Sequence, residues 1–365
     1  MVSEEQPAVP TSATAPRGRR DDLPDEVIVP LAWRPVAWIV GAFVAGFILF
    51  NLALLPAMHA QDANPGSVES RWHALADLDG PHDWLIFGDS SAANGIDPAV
   101  LTSELGGTAV SLALPSCPPF LDAWLLDEYV KHYGWPRHVI IQHVYDIWDR
   151  PAVRSTVPRL PLPMSEFARR EPPLQLNPRD KLYVATLRYL PAYRLRNKLM
   201  AEAQRLPGTA KRLLRGQRLT TPAAPEAYGG FSPSTNRRDA DLAWDLVGHT
   251  MTVQGTDFGF AIDEDNIRGW QSLTRAAAAA GVPVYLVPSP LHEQIASQPG
   301  AIRFHREWGE QMRQLAGRLP NVHVFDQIHP SRPDADFSNS VDHLLWPAAK
   351  EWTAQIAAAI RATGG

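Results

Sequence analysis

The sequence predicts an α/β protein: a three-layer parallel sheet with one N-terminal transmembrane helix and a basic insertion. Three observations predict it. From about residue 80, short apolar runs alternate with stretches of helical spacing, as strands joined by crossover helices do. Residues 36–55 form an apolar run broken only by Asn51. Between about 151 and 250 the alternation stops and the composition turns basic.

Residues 1–30 are rich in Pro, Ala, Ser and charge and lack periodicity, which predicts a disordered cytoplasmic tail. The run VAWIVGAFVAGFILFNLALL at 36–55 rises about 1.5 Å per residue as a helix, enough to cross a bilayer core. Pro35 suits the first helical turn and Pro56 is expected to end the helix, so the anchor is placed at 36–56. Trp33 and Trp38 fall where interfacial aromatics belong. Arg17, Arg19, Arg20 and Arg34 precede the run and only Arg71 lies close after it. That asymmetry puts the carboxyl part outside the cytoplasmic membrane. The stretch 57–60 lacks a small residue at the third position before a cleavage point, which favours an uncleaved anchor over a signal peptide.

The outer part, 80–365, is expected to hold strands at 83–87, 108–114, 138–144, 282–287 and 322–325. Helices are expected from Ser90 onward, at 97–105, 120–133, 267–280, 304–315 and 347–362. Asp97 followed by Pro98 is a helix start, and the alanine run before Gly281 is a helix end. Ligand sites of such sheets lie beyond the carboxyl ends of the strands. Ser90, 115–119, 145–148, 289–292 and Asp326 fall there. The stretch 159–218 carries 14 Arg/Lys against 4 Asp/Glu. It reads either as a solvated insertion packed on the main domain, or as a basic, partly helical subdomain facing anionic lipid or an acidic envelope polymer. Nucleic acid is not expected outside a membrane. A single cysteine, Cys117, excludes an intramolecular disulfide and a cysteine-based metal site. No metal-spaced His/Asp set appears, so neither a metal nor a cofactor is expected.

Residues 84–98, WLIFGDSSAANGIDP, carry the most chemistry. An apolar strand breaks at Gly88-Asp89 into a helix with Ser90 at the corner. A serine there has an exposed hydroxyl, and its own N–H lies at a helix N-terminus, where partial positive charge suits a developing oxyanion. Asp89 and Ser90 are also ordinary helix caps. A serine nucleophile needs a base and an acceptor to orient that base. His343, with Asp342 beside it, lies just before the closing helix in FSNSVDHLLWPAAKEW, residues 337–352.

Together these segments resemble the SGNH/GDSL hydrolase superfamily, and more closely the membrane-tethered SGNH-like domains of bacterial envelope-polysaccharide O-acyltransferase systems. The resemblance is carried by Gly88-Asp89-Ser90-Ser91-Ala92-Ala93, Cys117-Pro118-Pro119 and Asp342-His343-Leu344. It covers roughly 80–150 and 255–362 and leaves the insertion unexplained. It implies a flavodoxin-like fold, Ser90 as nucleophile and His343 as general base. The family's acid lies three residues before the histidine, where this chain has Ser340, so Asp342 is the expected substitute, with Asp334 and Asp336 as other candidates. The family's oxyanion glycine and asparagine are missing. This chain offers Ser116 and Cys117 after the second strand, Tyr145 and Asp146 after the third, and Asn94 on the helix of Ser90. Gly88 and Asp89 are read as support for the turn. The resemblance implies an acyltransferase or esterase acting on O-acyl groups of an envelope polysaccharide, anchored in the inner membrane and partnered by an integral-membrane acyltransferase. An inactive SGNH-like scaffold or glycan-binding protein is the alternative.

Overall fold

The computed structural model describes residues 33–62, 67–150, 157–162, 165, 177–196, 199–200, 231–254, 261–317 and 319–363. The tail expected at 1–30 and part of the basic insertion lie outside them. The chain divides into two compact units, Met1–Leu49 and Phe50–Gly365.

Helix α1, Trp33–Asp62, contains the stretch Pro35–His59, which is long and apolar enough to cross a membrane, with a mean hydropathy of 2.3. Almost none of it is buried against protein. Pro56 does not end this helix, contrary to expectation; it lies inside it, and the helix continues to Asp62. A proline removes one amide donor, and the leucine, alanine and methionine around Pro56 are strong helix formers.

Within Phe50–Gly365 a parallel sheet of five strands has the order β2-β1-β3-β4-β6. These strands are β1 (Trp84–Gly88), β2 (Ala109–Ser111), β3 (His138–His143), β4 (Val284–Pro288) and β6 (Val322–Val324). Two short segments, β5 (Leu291–His292) and β7 (Ser331–Arg332), pair separately. Register places Trp84 beside both Ala109 and His138, and Val284 beside both Val139 and Val322. Strand β2 is shorter than the expected 108–114. The chain still follows β1, however, since Leu112 N donates to Ile86 O and Leu114 N to Gly88 O.

Alternate side chains of a strand serve opposite faces, and the two cores divide on that basis. Leu85 and Phe87 join the core covered by α2 (Val68–Ala76), α5 (Pro119–Tyr133), α9 (Glu264–Ala279) and α11 (Pro299–Ala316). Trp84 and Ile86 join the core covered by α3 (Ser90–Gly95), α4 (Pro98–Leu105) and α12 (Trp346–Ala362). This is the expected arrangement of a parallel sheet between helical layers. Asp97 fixes the second layer: its Oδ1 accepts Ala99 N as the N-cap of α4, and its Oδ2 accepts the Trp346 indole N–H at 2.9 Å. The start of α12 is thereby held where the His343 loop enters it.

The region expected as an insertion holds α6 (Pro178–Tyr189), α7 (Pro191–Arg194) and α8 (Asp239–Val253). Helix α8 is part of the main body, with Leu242 in one core and Val253 in the other. The short α10 (Glu293–Ala296) follows β5.

Helices α5 and α9 pack backbone to backbone at Gly269, where an added Cβ would lie 2.1 Å from Phe120 Cα. A Gly269→Ala chain is expected to be destabilised by about 1–3 kcal/mol, the cost of overpacking. A lowered urea midpoint at unchanged slope is the expected reading; an unchanged midpoint would mean that α5 and α9 do not meet there.

Candidate active site

The corner carrying Ser90 is built from three consecutive residues. Gly88 has φ +142°, and a Cβ there would lie 1.9 Å from Gln142 O and 2.7 Å from Ala92 Cβ. Only glycine lets β1 lie so close to β3 and α3 at once. Asp89 is fully buried and caps α3, its Oδ1 accepting Ser91 N at 2.7 Å. Its Oδ2 accepts Val144 N at 2.8 Å, which ties the corner to the end of β3. Ser90 is then the first residue of α3 and is half-buried. Its hydroxyl has no hydrogen-bond partner among the described residues.

Behind this corner lies a buried polar array that adds His143 and Asp122, neither of them expected from the sequence, to Asp89 and Cys117. His143 Nε2 meets Asp122 Oδ2 at 2.6 Å, and His143 Nδ1 faces Asp89 Oδ2 at 3.9 Å. Burial disfavours the imidazolium, but the charges of Asp122 and Asp89 outweigh it, and His143 is held above the usual histidine range. Burial raises the Asp89 carboxyl, opposed by His143. Cys117 Sγ lies 3.6 Å from Asp122 Oδ1, and burial pushes its thiol well up, so it stays protonated.

His343 lies on a tight loop. Phe337 and Leu344 form an antiparallel bridge, and Ser338 N donates to His343 O at 2.9 Å. Residues 231–238 brace the loop through Arg238 N to Ser338 O and Trp346 N to Ser234 O. The ring contacts Asn339 Oδ1 through Nδ1 at 3.2 Å, and its Nε2 lies 3.8 Å from Asp342 Oδ1. No hydrogen bond joins His343 to Ser90. Residues 231–238 nevertheless link the loop to α3, since Ser232 N donates to Ala93 O and Ser234 Oγ to Asn94 Oδ1 while Arg238 N donates to Ser338 O. The other candidate acids are engaged elsewhere: Asp334 with His292 and Arg237, and Asp336 with Arg332.

Ser340, three residues before His343, touches two carboxylates. Its Oγ lies 2.7 Å from Asp245 Oδ2 and also contacts Asp342 Oδ1. One hydroxyl carries one proton and can donate to only one of them at a time. Asp245 comes from α8 and also accepts Val341 N at 2.9 Å. One turn further along α8, His249 Nε2 lies 3.6 Å from Asp245 Oδ1, and His249 Nδ1 is hydrogen-bonded to the Tyr145 hydroxyl. A continuous polar chain thus runs from Tyr145 through His249, Asp245, Ser340 and Asp342 to His343. Burial raises the Asp245 carboxyl, but hydrogen bonds from His249, Ser340 and Val341 outweigh it and bring it down to about 2. Burial lowers His249, but Asp245 outweighs it and the net shift is upward. Burial and the nearby carboxylates raise the Tyr145 phenol. In the sequence the only trace of this pair is an Asp and a His four apart on a helical stretch.

The other predicted residues are distributed as follows. Asn94 Nδ2 donates to Ser90 O at 2.7 Å and its Oδ1 accepts Ser234 Oγ at 3.1 Å, so its amide braces α3. Ser116 has φ +55°, alone among the described non-glycine residues in a left-handed conformation. It follows the segment that runs beside Gly88, where Leu114 N donates to Gly88 O. Asp146 pairs with Arg150. Beyond β3 and β4 a cavity of about 40 Å³ is lined by His143, Tyr145, Trp148, Ser289, His305 and Trp308, among others. Among the described residues no three His, Cys, Asp or Glu side chains are placed to hold a metal ion.

No protein-family model matches the chain, and a search of curated proteins finds no significant relative.

The Asp245–His249 pair predicts a pH window. Asp245 falls below its ordinary 3.8, so its contribution is present above that value and is lost as pH falls toward about 2. His249 rises above its ordinary 6.5, so its contribution is present below 6.5 and is lost as pH climbs through the raised value. Thermal midpoints measured from pH 6 to 9 should fall less steeply for Asp245→Asn than for the natural chain. Parallel curves would show that the pair is not coupled.

Proposed function

We propose that this chain is a membrane-anchored, extracytoplasmic SGNH-like acyltransferase or esterase that uses Ser90 and His343 on O-acyl groups of an envelope polysaccharide. One observation carries the reading. A half-buried serine with an unengaged hydroxyl begins a helix at the end of β1, and residues 231–238 link that helix to the loop of a histidine that precedes the last helix. The strand order β2-β1-β3-β4-β6 supports a flavodoxin-like arrangement, which places ligands at this end of the sheet.

In this mechanism His343 takes the proton from Ser90 Oγ as the oxygen attacks an acyl carbonyl. The backbone N–H of Ser90 and that of Ser116 are the oxyanion donors. Collapse breaks the bond to the leaving alcohol, which takes the proton from His343. The acyl-serine is then resolved by a sugar hydroxyl or by water, again with His343 as base. Catalytic hydrogen bonds are often long before substrate binds, and the loop carrying His343 must bring its Nε2 to Ser90. Asp342 stabilises the imidazolium, and Asp245 supports Asp342 through Ser340. An integral-membrane acyltransferase is a suitable acyl donor for a domain tethered by α1 on the outer face of the membrane.

A second reading, an inactive scaffold or glycan-binding protein, has its own supporting observation. Both ring nitrogens of His343 face residues of its own loop, Asn339 and Asp342, and neither contacts Ser90.

A serine-directed fluorophosphonate separates the two readings. Labelling at Ser90 in the full chain, together with ester turnover reduced on the order of a thousandfold or more by Ser90→Ala, is the outcome expected of the enzyme. A folded chain that neither labels nor turns over ester is the outcome expected of the scaffold.

A further inference from the structure

We propose that α6 and α7 form an interfacial platform that lies in the headgroup layer of the bilayer holding α1 and binds anionic phospholipid. The inference rests on the membrane-anchor reading and goes beyond it, because it assigns a lipid-binding surface to the insertion.

The argument starts from Asn51, the one polar interruption of the apolar run. A side-chain amide within hydrocarbon is costly unless it is partnered. Asn51 is buried, and its Oδ1 accepts Ala192 N of α7 at 3.1 Å. Both residues belong to the same compact unit. Asn51 lies five residues before Pro56, the expected end of the anchor, and eight before His59, where the helix stops being apolar enough to cross a membrane. At the helical rise it is therefore about 7–12 Å inside the end of the span. Amphipathic helices that lie in a membrane interface bury their apolar face to about 5–10 Å. The hydrogen bond thus sets α7 at the depth that such helices occupy.

The surface suits that depth. Leu182 and Tyr189, seven residues apart on one face of α6, are 69% and 64% exposed. Tyr193 is exposed on α7, and the Arg196 guanidinium lies over its ring at 4.2 Å. Arg179 and Lys181 flank the Leu182 face, and neither has a carboxylate partner among the described residues. Over residues 177–196 five Arg/Lys stand against one Asp. Aromatic and apolar tips bordered by cations match the boundary between acyl chains and anionic headgroups. The platform is also fixed to the body: Arg194 pairs with Glu69 of α2 in a nearly buried contact, and Arg188 donates to Leu162 O. The membrane contact would then set the height of the catalytic end above the bilayer.

The test uses the full chain reconstituted into phosphatidylcholine vesicles with or without phosphatidylglycerol. An environment-sensitive fluorophore is placed on Leu182→Cys or Tyr189→Cys, with the unsubstituted chain as control for the buried Cys117. With phosphatidylglycerol, blue-shifted emission and strong quenching by a headgroup nitroxide lipid are expected. Protection from aqueous iodide should be lowered several-fold by Arg179→Glu with Lys181→Glu. Label emission that stays water-like in chains that float with vesicles would overturn the platform and leave the anchor standing. Failure of the full chain to float would overturn both. Shielding that is equal with and without phosphatidylglycerol and indifferent to the two charge reversals would overturn the anionic-lipid assignment.

Discussion

The buried carboxylate of Asp89 is the constraint on which the candidate site depends. It satisfies two backbone donors from different elements, Ser91 N in α3 and Val144 N past β3. An N-cap of this kind contributes about 1 kcal/mol. Its structural effect is larger than that figure, because one side chain sets both the direction of α3 and the distance between the ends of β1 and β3. Ser90 owes its placement to this bond and to the absence of a side chain at Gly88. The charge that makes Asp89 a good acceptor is awkward to bury. His143 lies behind it and is itself held by Asp122, so one imidazole ring stands between two buried carboxyl groups.

The same end of the sheet carries a second group of charges, with a different origin. Asp245 and His249 belong to α8, within the segment that interrupts the α/β rhythm. They approach the His343 loop from outside the repeating fold and place a carboxylate next to Ser340. The loop can therefore keep a serine three residues before its histidine and still have an acidic neighbour. The left-handed Ser116 is a parallel case. A non-glycine residue there holds a conformation that glycine adopts more readily, and that strain persists only where the surroundings enforce it.

The interrupting segment thus serves two places within the Phe50–Gly365 unit. Helix α8 reaches the candidate site, while α6 and α7 reach the part of α1 that contains Asn51. Arg194 with Glu69 and Arg71 with Ala113 O and Ser232 Oγ tie this region into the α/β body. Arg71 is largely desolvated, and burial lowers its guanidinium to about 10. Two of its nitrogens donate to a backbone and a hydroxyl oxygen on two different segments, which offsets part of the cost of burying it.

The sequence by itself determined the repeating layers. Apolar runs of strand length, helix starts such as Asp97-Pro98, and a glycine stop at 281 are local signals, and the elements they predict occur within a few residues of their expected limits. It also determined the Gly88-Asp89-Ser90 corner, because a strand ending in glycine followed by a capping residue has few alternatives. Only the tertiary structure decided what surrounds that corner. The pairing of His143 with Asp122, the approach of Asp245 to Ser340 and the contact of Asn51 with Ala192 join residues 21, 95 and 141 positions apart. No periodicity records such separations, since they are set by how layers pack and not by the geometry of any one element. The continuation of α1 past Pro56 has a different reason: proline weakens a helix by one hydrogen bond, and the surrounding residues sustain the rest.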